Sequence, residues 1–476
     1  MASIVVVLIV YLCLLAGLAV WSRRETNTLS GFYLAGKKLP YWVVAFSTNA
    51  TGESGWLLLG LTGMGYAVGA QAYWVVVGEL VGIALSWLLI SRRLKRMGDE
   101  THSITVPDVL AARFNDSWHL IRAFAVVIIL TMVTAYVTAQ LVASGKAFSE
   151  FIGMDYKVGV ITGSAIIIAY TFIGGYKAVA YTDVLQGILM LLGLIIVPLV
   201  AVNAGGGWDS VLSNLVSQDP DLVSMFSVAD GIAGWVGIVS FVAIGLPFLG
   251  VPQLLIRYMS ARDDGELRKA RYVSVCITLF FSVGAVTAGL AGRALFPGIE
   301  DSETIFPMLA TELFPPLVAG LLLVIVLSAI MSTADSLLLL ASSAIVRDTM
   351  QKILGSQKGD KALSGYGKIV TIIIGIVAVA FAIPEAQFIF YFVLFAWSGL
   401  GAAFGPVVIC LLYYKKTTRA GVLSGMLAGF LTSIVWVLEF KEQTYGLYEA
   451  VPGFAVGIVV TMLVSMATNK PSADNL

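Results

Sequence analysis

The chain is 476 residues long, 58% apolar and only 12% charged, with 29 basic residues balanced by 29 acidic ones. Soluble domains carry about a quarter charged residues, so that class is excluded, and the zero net charge lacks the basic excess of a nucleic-acid binder. Three scattered cysteines (Cys13, Cys276, Cys410) and two histidines (His102, His119) supply neither a disulfide framework nor a metal cluster.

Apolar runs separated by polar or Gly/Pro clusters fall at 3–21, 41–65, 70–90, 123–152, 156–173, 178–203, 232–256, 272–295, 317–346, 367–383, 386–412, 420–440 and 451–467. About 20 residues cross a bilayer as a helix, whereas a membrane barrel shows segments of about ten residues alternating in polarity. The pattern predicts an all-α polytopic membrane protein with 13 transmembrane helices. The first run has no basic region before it and no clear cleavage site, so it reads as a retained helix rather than a signal peptide.

With thirteen spans, all but four (Lys146, Lys157, Arg293, Lys441) of the 29 basic residues share one side, including Arg23, Arg24, Arg257 and Lys470, while acids such as Asp209, Asp230 and Glu385 lie opposite. By the positive-inside rule this predicts an outside N-terminus and a cytoplasmic C-terminus in the plasma (inner) membrane. The longer polar stretches, 91–122, 204–231 and 296–316, are too short for a soluble domain and suggest surface helices such as 106–113. The tail after Met466 reads as disordered.

Polar groups and helix breakers at membrane depth carry a cost that packing alone avoids, so function is sought there. The second run is interrupted at 47–55, Ser-Thr-Asn-Ala-Thr-Gly-Glu-Ser-Gly. Close packing through small residues is one reading. A broken helix whose freed carbonyls bind a cation is the other, and packing does not call for Glu53. The seventh run carries Gly245-Leu246-Pro247-Phe248-Leu249-Gly250-Val251-Pro252, either a proline kink or a second break. If runs two to six and seven to eleven are two halves, both breaks open a half, the arrangement that marks transporter binding sites.

In the ninth run, Ser332 and Ser336 lie one turn apart with Asp335 beside them. Such hydroxyls bond back to their own helix or hold helices together, but with a carboxylate they make an oxygen set suited to a small hard cation, sodium rather than calcium. Asp183 opens the sixth helix after Tyr181-Thr182, where it either caps that helix or is a polar group placed for function. Glu79 is either a buried, hydrogen-bonded carboxyl or a proton-coupling group.

Residues 24–63 and 328–348 resemble the solute:sodium symporter family, as do Ser54-Gly55-Trp56-Leu57-Leu58, Tyr170-Thr171-Phe172-Ile173-Gly174-Gly175, Thr182-Asp183, Met331-Ser332-Thr333, 401–408, 446–449 and 452–454. Several of these look closest to its proline-transporting members. The resemblance implies a LeuT-type fold with inverted repeats of five helices each at 41–203 and 232–412. An extra N-terminal helix at 3–21 and two extra C-terminal helices at 420–467 would complete a single transporter domain over 1–476. It also implies a sodium site made by the carbonyls of Ala50, Glu53 and Ala329 and the hydroxyls of Ser332 and Thr333. Asp183 matches a family aspartate near the inner sodium path, and Asp335 is a candidate for a second cation site. The implied substrate pocket is Ser54, Gly55, Trp56, Tyr136, Ile244, Phe248 and Pro252.

The proline-transporting members have aspartate then methionine where this chain has Gly52-Glu53, tryptophan and tyrosine where it has Ile244 and Phe248, and no acid at the position of Asp335. The expected function is sodium-coupled symport of a small amino acid, proline first, by alternating access. The expected partners are the substrate, Na+ and the bilayer, with no nucleic acid and no obligate protein partner. The alternatives are a sodium symporter of another neutral amino acid or organic carboxylate, and a channel, for which no ring of like charges is visible. An enzyme is not expected, for want of a paired nucleophile and base.

Overall fold

The computed structural model describes residues 2–22, 28–226, 231–384 and 389–469. Arg23, Arg24, Asp230, Glu385, Lys470 and the rest of the C-terminal tail lie outside these. Helix α19, described below, runs to Thr468, so the tail's first two residues are helical and not disordered.

The described chain is helical, with one isolated bridge, Leu39 to Ala261. In order, the helices are α1 (Ala2–Ser22), α2 (Leu29–Leu34), α3 (Tyr41–Gly55), α4 (Thr62–Val68), α5 (Tyr73–Leu85), α6 (Arg92–Glu100), α7 (Val106–Arg113), α8 (Leu120–Ile152), α9 (Tyr156–Ala204) and α10 (Trp208–Gln218). They continue as α11 (Ile232–Ala243), α12 (Pro252–Ser260), α13 (Asp264–Leu295), α14 (Ile305–Leu313), α15 (Pro316–Ser343), α16 (Asp360–Ala382), α17 (Ile389–Tyr413), α18 (Arg419–Val435) and α19 (Ala450–Thr468).

Local chemistry sets many of the ends. Asp155 caps α9 by accepting from the N–H groups of Lys157 and Val158, and Asp263 caps α13 by accepting from Gly265 and Glu266. Gly153, at φ 65°, closes α8 in a left-handed turn whose N–H reaches back to Ser149.

Eleven helical stretches are long and apolar enough to cross a membrane. One of them, Tyr41–Glu100, holds both the second and the third run, bent at Gly69, and the shorter Tyr156–Thr171 carries the fifth. In α15 and α17, 83% of the most apolar stretch is buried, against 22% in α1 and 33% in α16 and α19. Helices α15 and α17 are therefore the inner members, and α1, α16 and α19 face outward. Helix α1 is nonetheless tied in, since its Tyr11 hydroxyl accepts from Ser328 Oγ at 3.0 Å and from Gln186 Nε2 at 3.1 Å.

Several expectations change. Helix α3 stays helical from Tyr41 through Glu53 and breaks at the single residue Ser54, rather than unwinding across 47–55. The fifth and sixth runs follow one another within α9 as two helices joined across a kink at Gly175 (φ 60°, ψ −169°), where a Cβ would meet Phe32 Cδ2 at 2.9 Å. Asp183 is therefore interior to α9 and caps nothing. Helix α7 is not an exposed surface helix: Val106 to Ala111 are buried against the rest of the protein. Arg257 belongs to no loop, because it sits in α12 and is 1% exposed.

Candidate functional site

The break in α3 is held from both sides. Ser54, at φ 55° and ψ −173°, occupies backbone space that glycine normally takes, which is strained for a residue with a side chain. Its Oγ accepts from the Trp56 N–H at 3.1 Å, while Gln140 Oε1 on α8 accepts from the Gly55 N–H at 3.0 Å. A Cβ on Gly55 would stand 2.8 Å from Ile330 Cγ1, so glycine permits the close approach of α3 to α15.

Across that approach, Ser332 Oγ lies 2.8 Å from the Ala50 carbonyl and 3.1 Å from the Ala329 carbonyl. Thr333 Oγ1 donates to the Thr51 carbonyl at 2.9 Å. Ala50, Ala329, Ser332 and Thr333, expected from the sequence as sodium ligands, thus meet at one buried crossing. The fifth, Glu53, turns its carbonyl to the Trp56 N–H. Neutral carbonyl and hydroxyl oxygens of this kind suit a small hard cation.

One turn along α15, the polar groups continue as a buried chain. The Tyr170 hydroxyl donates to Asp335 Oδ2, and Ser336 Oγ lies 3.1 Å from Asp335 Oδ1 and 3.1 Å from Thr51 Oγ1. Arg257 then reaches Thr51 Oγ1 at 2.7 Å, Ser47 Oγ at 3.2 Å, Ser336 Oγ and Asp183 Oδ2 at 3.3 Å. Ser47 Oγ also donates to Asp183 Oδ2 at 2.6 Å. Asp183 and Asp335, the possible second cation site or path, are therefore joined through Arg257 and two hydroxyls.

On the other side of α3 lies a small cavity of about 10 Å³, lined by Gly52, Trp56, Glu79, Tyr136, Ile244, Phe248, Val393, Leu394 and Trp397. Trp56, Tyr136, Ile244 and Phe248 of the expected substrate pocket are among them. Ser54 and Gly55 form the break beside it, and Pro252 opens α12 without lining it. The second break, between α11 and α12, frees the Ile244 and Phe248 carbonyls. Trp397 Nε1 takes the first at 3.2 Å and Ser86 Oγ the second at 2.7 Å. Phe248 and Trp397 meet edge to face at 5.0 Å, and Phe390 stacks on Trp56 at 5.6 Å.

Sequence reasoning missed Trp397, Val393 and Leu394 as lining, and Arg257 as a site residue. A freed carbonyl at a break needs a donor, which pointed to an indole or hydroxyl somewhere, but not to a residue 153 positions away.

Helices that break around a buried cavity, opposite intact ones, define a secondary membrane carrier. The chain belongs to the sodium:solute symporter family, whose model matches residues 32–429. It is 36% identical over 484 residues to a sodium/proline symporter of Staphylococcus aureus, covering 98% of this chain and 93% of that one. It is likewise 36% identical over 457 residues to the high-affinity proline transporter PutP of Bacillus subtilis, covering 95% of each. Among solved structures, a Na+-coupled sialic acid symporter in a substrate-bound, outward-open state matches with a TM-score of 0.79 at 18% identity over 98% of both chains. Mhp1, a nucleobase-cation-symport-1 family transporter, matches with 0.55 at 13% identity over 95% of this chain and 98% of that one. These likenesses show the fold, which is of the LeuT type.

Proposed function

We propose that this chain is a sodium-coupled symporter of a small amino acid, proline first, working by alternating access and not as an enzyme. The observation that supports this most is the contact of Ser332 and Thr333 with the carbonyls of Ala50 and Thr51, a few residues ahead of the break that carries Trp56 into the cavity. A sodium ion held there by Ala50, Ala329, Ser332 and Thr333 would fix α3 against α15. It would thereby set the position of Trp56, so that ion and substrate raise each other's affinity reciprocally. The proline assignment follows the relatives in Staphylococcus aureus and Bacillus subtilis. Ile244 and Phe248 favour a second reading, a sodium symporter of another small neutral amino acid.

In this reading, 41–203 and 232–412 are the inverted repeats, 3–21 and 420–467 are additions, and thirteen crossings leave the N-terminus outside and the C-terminus in the cytoplasm. The carbonyl of Glu53 joins the ion site only if the Trp56 N–H releases it. Asp183 and Asp335 lie on the ion's inward path. Gradient-driven uptake into proteoliposomes tests the whole: saturable proline accumulation that needs an inward Na+ gradient supports it, and an ohmic Na+ current without accumulation rejects it.

A further inference from the structure

The last turn of α17 and the chain after it form one wall of a second cavity, of about 330 Å³, and Met97 of α6 with Arg113 and Phe114 at the end of α7 form the other. Two cations line it, Arg113 and Lys415, and no acid does. Asp116, close by in sequence, is already paired with Arg419 at 2.7 Å. Cations beside a helix C-terminus ordinarily serve its carbonyls. Here Arg93 takes the Leu412 carbonyl at 3.2 Å and Thr417 Oγ1 the Cys410 carbonyl at 2.9 Å, so that task is done by other groups. Among the described residues, no carboxylate or carbonyl accepts from Arg113 or Lys415. The aromatic part of the wall is fixed: the Tyr413 hydroxyl donates to the Leu89 carbonyl at 2.7 Å, and the Arg93 guanidinium lies 4.0 Å over its ring.

The cavity sits where apolar spans give way to charge. The stretch Ile389–Tyr413 ends at it, Arg419–Phe440 begins just past it, and Leu120–Ile152 begins shortly after Phe114. From that level Leu120, Phe124 and Val127 run along α8, exposed and spaced so that they share one face. Trp118, ahead of them, is 77% exposed, and an indole so placed marks the boundary between headgroups and hydrocarbon. Beside Tyr413, Leu88 and Leu89 are exposed as well. The basic bias of one membrane side accounts for lysines and arginines in its loops. It does not account for a cavity that gathers two of them without an acid, flanked by surfaces that face lipid.

We propose that this cavity binds the phosphodiester headgroup of an anionic phospholipid, with Arg113 and Lys415 on the phosphate oxygens and an acyl chain laid along Leu120, Phe124 and Val127. Basic pockets between membrane helices take such headgroups, and a guanidinium offers a phosphate two parallel donors. A soluble phosphate shares the headgroup's charge but leaves the apolar face of α8 unused. The site joins α6 and α7 to the end of α17, so a lipid held there fastens an inner helix to two short ones. The assignment holds whichever substrate the chain carries.

The test is titration of the purified full chain in detergent with phosphatidylglycerol and, for comparison, with zwitterionic phosphatidylcholine. Native mass spectrometry reads the retained lipid, and Tm reads the stabilisation that binding brings. It is run on the unaltered protein, on Arg113→Gln, on Lys415→Gln, on the pair, and on Lys361→Gln, which removes an exposed charge of α16 outside the lining. The unaltered protein should retain phosphatidylglycerol in preference to phosphatidylcholine and gain Tm from it. Affinity should fall about fivefold in each single variant and roughly thirtyfold in the pair, while Lys361→Gln binds as the unaltered protein does. A lipid-free Tm equal to the unaltered protein's shows that the variants are folded. Full retention of phosphatidylglycerol by the folded pair overturns the proposal, as does equal retention of the two lipids by the unaltered protein. An equal loss in Lys361→Gln also overturns it, by showing that only diffuse charge matters. Displacement of the lipid by glycerol phosphate at matched concentration overturns it in favour of a soluble anion.

Discussion

Ser332 Oγ on α15 lies 2.8 Å from the carbonyl oxygen of Ala50 on α3, four positions ahead of the strained Ser54. Both residues are fully buried. The contact joins an intact inner helix to a broken one, and beside it Thr333 bonds the next carbonyl, that of Thr51. Replacing Ser332 or Thr333 by alanine removes one oxygen from the proposed ion site and leaves a carbonyl without its donor. The Na+ concentration for half-maximal uptake should rise by roughly tenfold, at about 1–3 kcal/mol per lost buried bond, while Vmax at saturating Na+ changes less. Sodium titration of initial uptake rates checks this, and an unchanged midpoint in both variants would place the ion elsewhere.

Asp183 and Arg257 form a pair that is 0% and 1% exposed in its side chains. Removing one member of a buried pair leaves the other uncompensated, at about 3–5 kcal/mol, whereas removing both can be nearly neutral. Asp183→Asn should therefore lower the Tm in detergent by several degrees and abolish uptake. The double variant Asp183→Asn with Arg257→Gln should recover much of the Tm without recovering uptake, since the link from Ser47 and Thr51 to Ser336 is gone. Equal Tm values for the single and double variants would show that the two charges do not stabilise one another.

The helices were readable because each crossing needs about 20 apolar residues, and little else produces such runs. The break in α3 was readable as a place but not as a shape. Residues 47–53 form a poor isolated helix, and they remain helical because tertiary partners satisfy their side chains. Asn49 Nδ2 donates to the Ser274 carbonyl at 2.9 Å and to Thr278 Oγ1 at 2.7 Å, and Ser47 bonds Asp183. Arg257 looked like a loop charge because the apolar run ends at Ile256 and the charged stretch from Arg262 follows soon after. Its role depends on residues 74 to 210 positions away, and no local pattern encodes such pairings.

Acid should loosen the packing around α7. Asp108 on α7 bonds Arg122 at 2.6 Å and Arg347 at 2.9 Å, and Arg122 also pairs with Asp348 at 2.7 Å. Burial pushes the Asp108 carboxyl up, but Arg347 and then Arg122 outweigh it and hold the group below its ordinary value. A carboxyl depressed in the folded state contributes stability that is complete above its unfolded pKa, about 3.9, and is lost as pH falls through the lower folded value. The Tm in detergent should fall more steeply below about pH 4 in the unaltered protein than in Asp108→Asn, and the variant should be the less stable of the two at neutral pH. Parallel Tm curves from neutral pH down would remove Asp108 from the acid response.

At the opposite face, Glu303 holds the start of α17. Its oxygens accept from the Ile389 and Phe390 N–H groups at 3.0 and 2.7 Å, and it pairs with Lys146 of α8 at 2.8 Å, all while 3% exposed. A carboxylate at a helix N-terminus satisfies orphan donors and the helix dipole together. Phe390, fixed by this bond, is the residue stacked on Trp56 over the cavity. Glu303→Gln keeps an oxygen for one amide but loses the charge and the tie to Lys146, so α17 should part more readily from α8 and uncover Trp56. Quenching of tryptophan fluorescence by an added water-soluble quencher should increase, and bound substrate should exchange roughly several-fold faster, in line with about 1–3 kcal/mol of lost charge-assisted bonding. Lys146→Met, which breaks the same tie from the other side, should shift both readouts in the same direction. Unchanged quenching in both variants would mean that the stacking of Phe390 on Trp56 is maintained without Glu303.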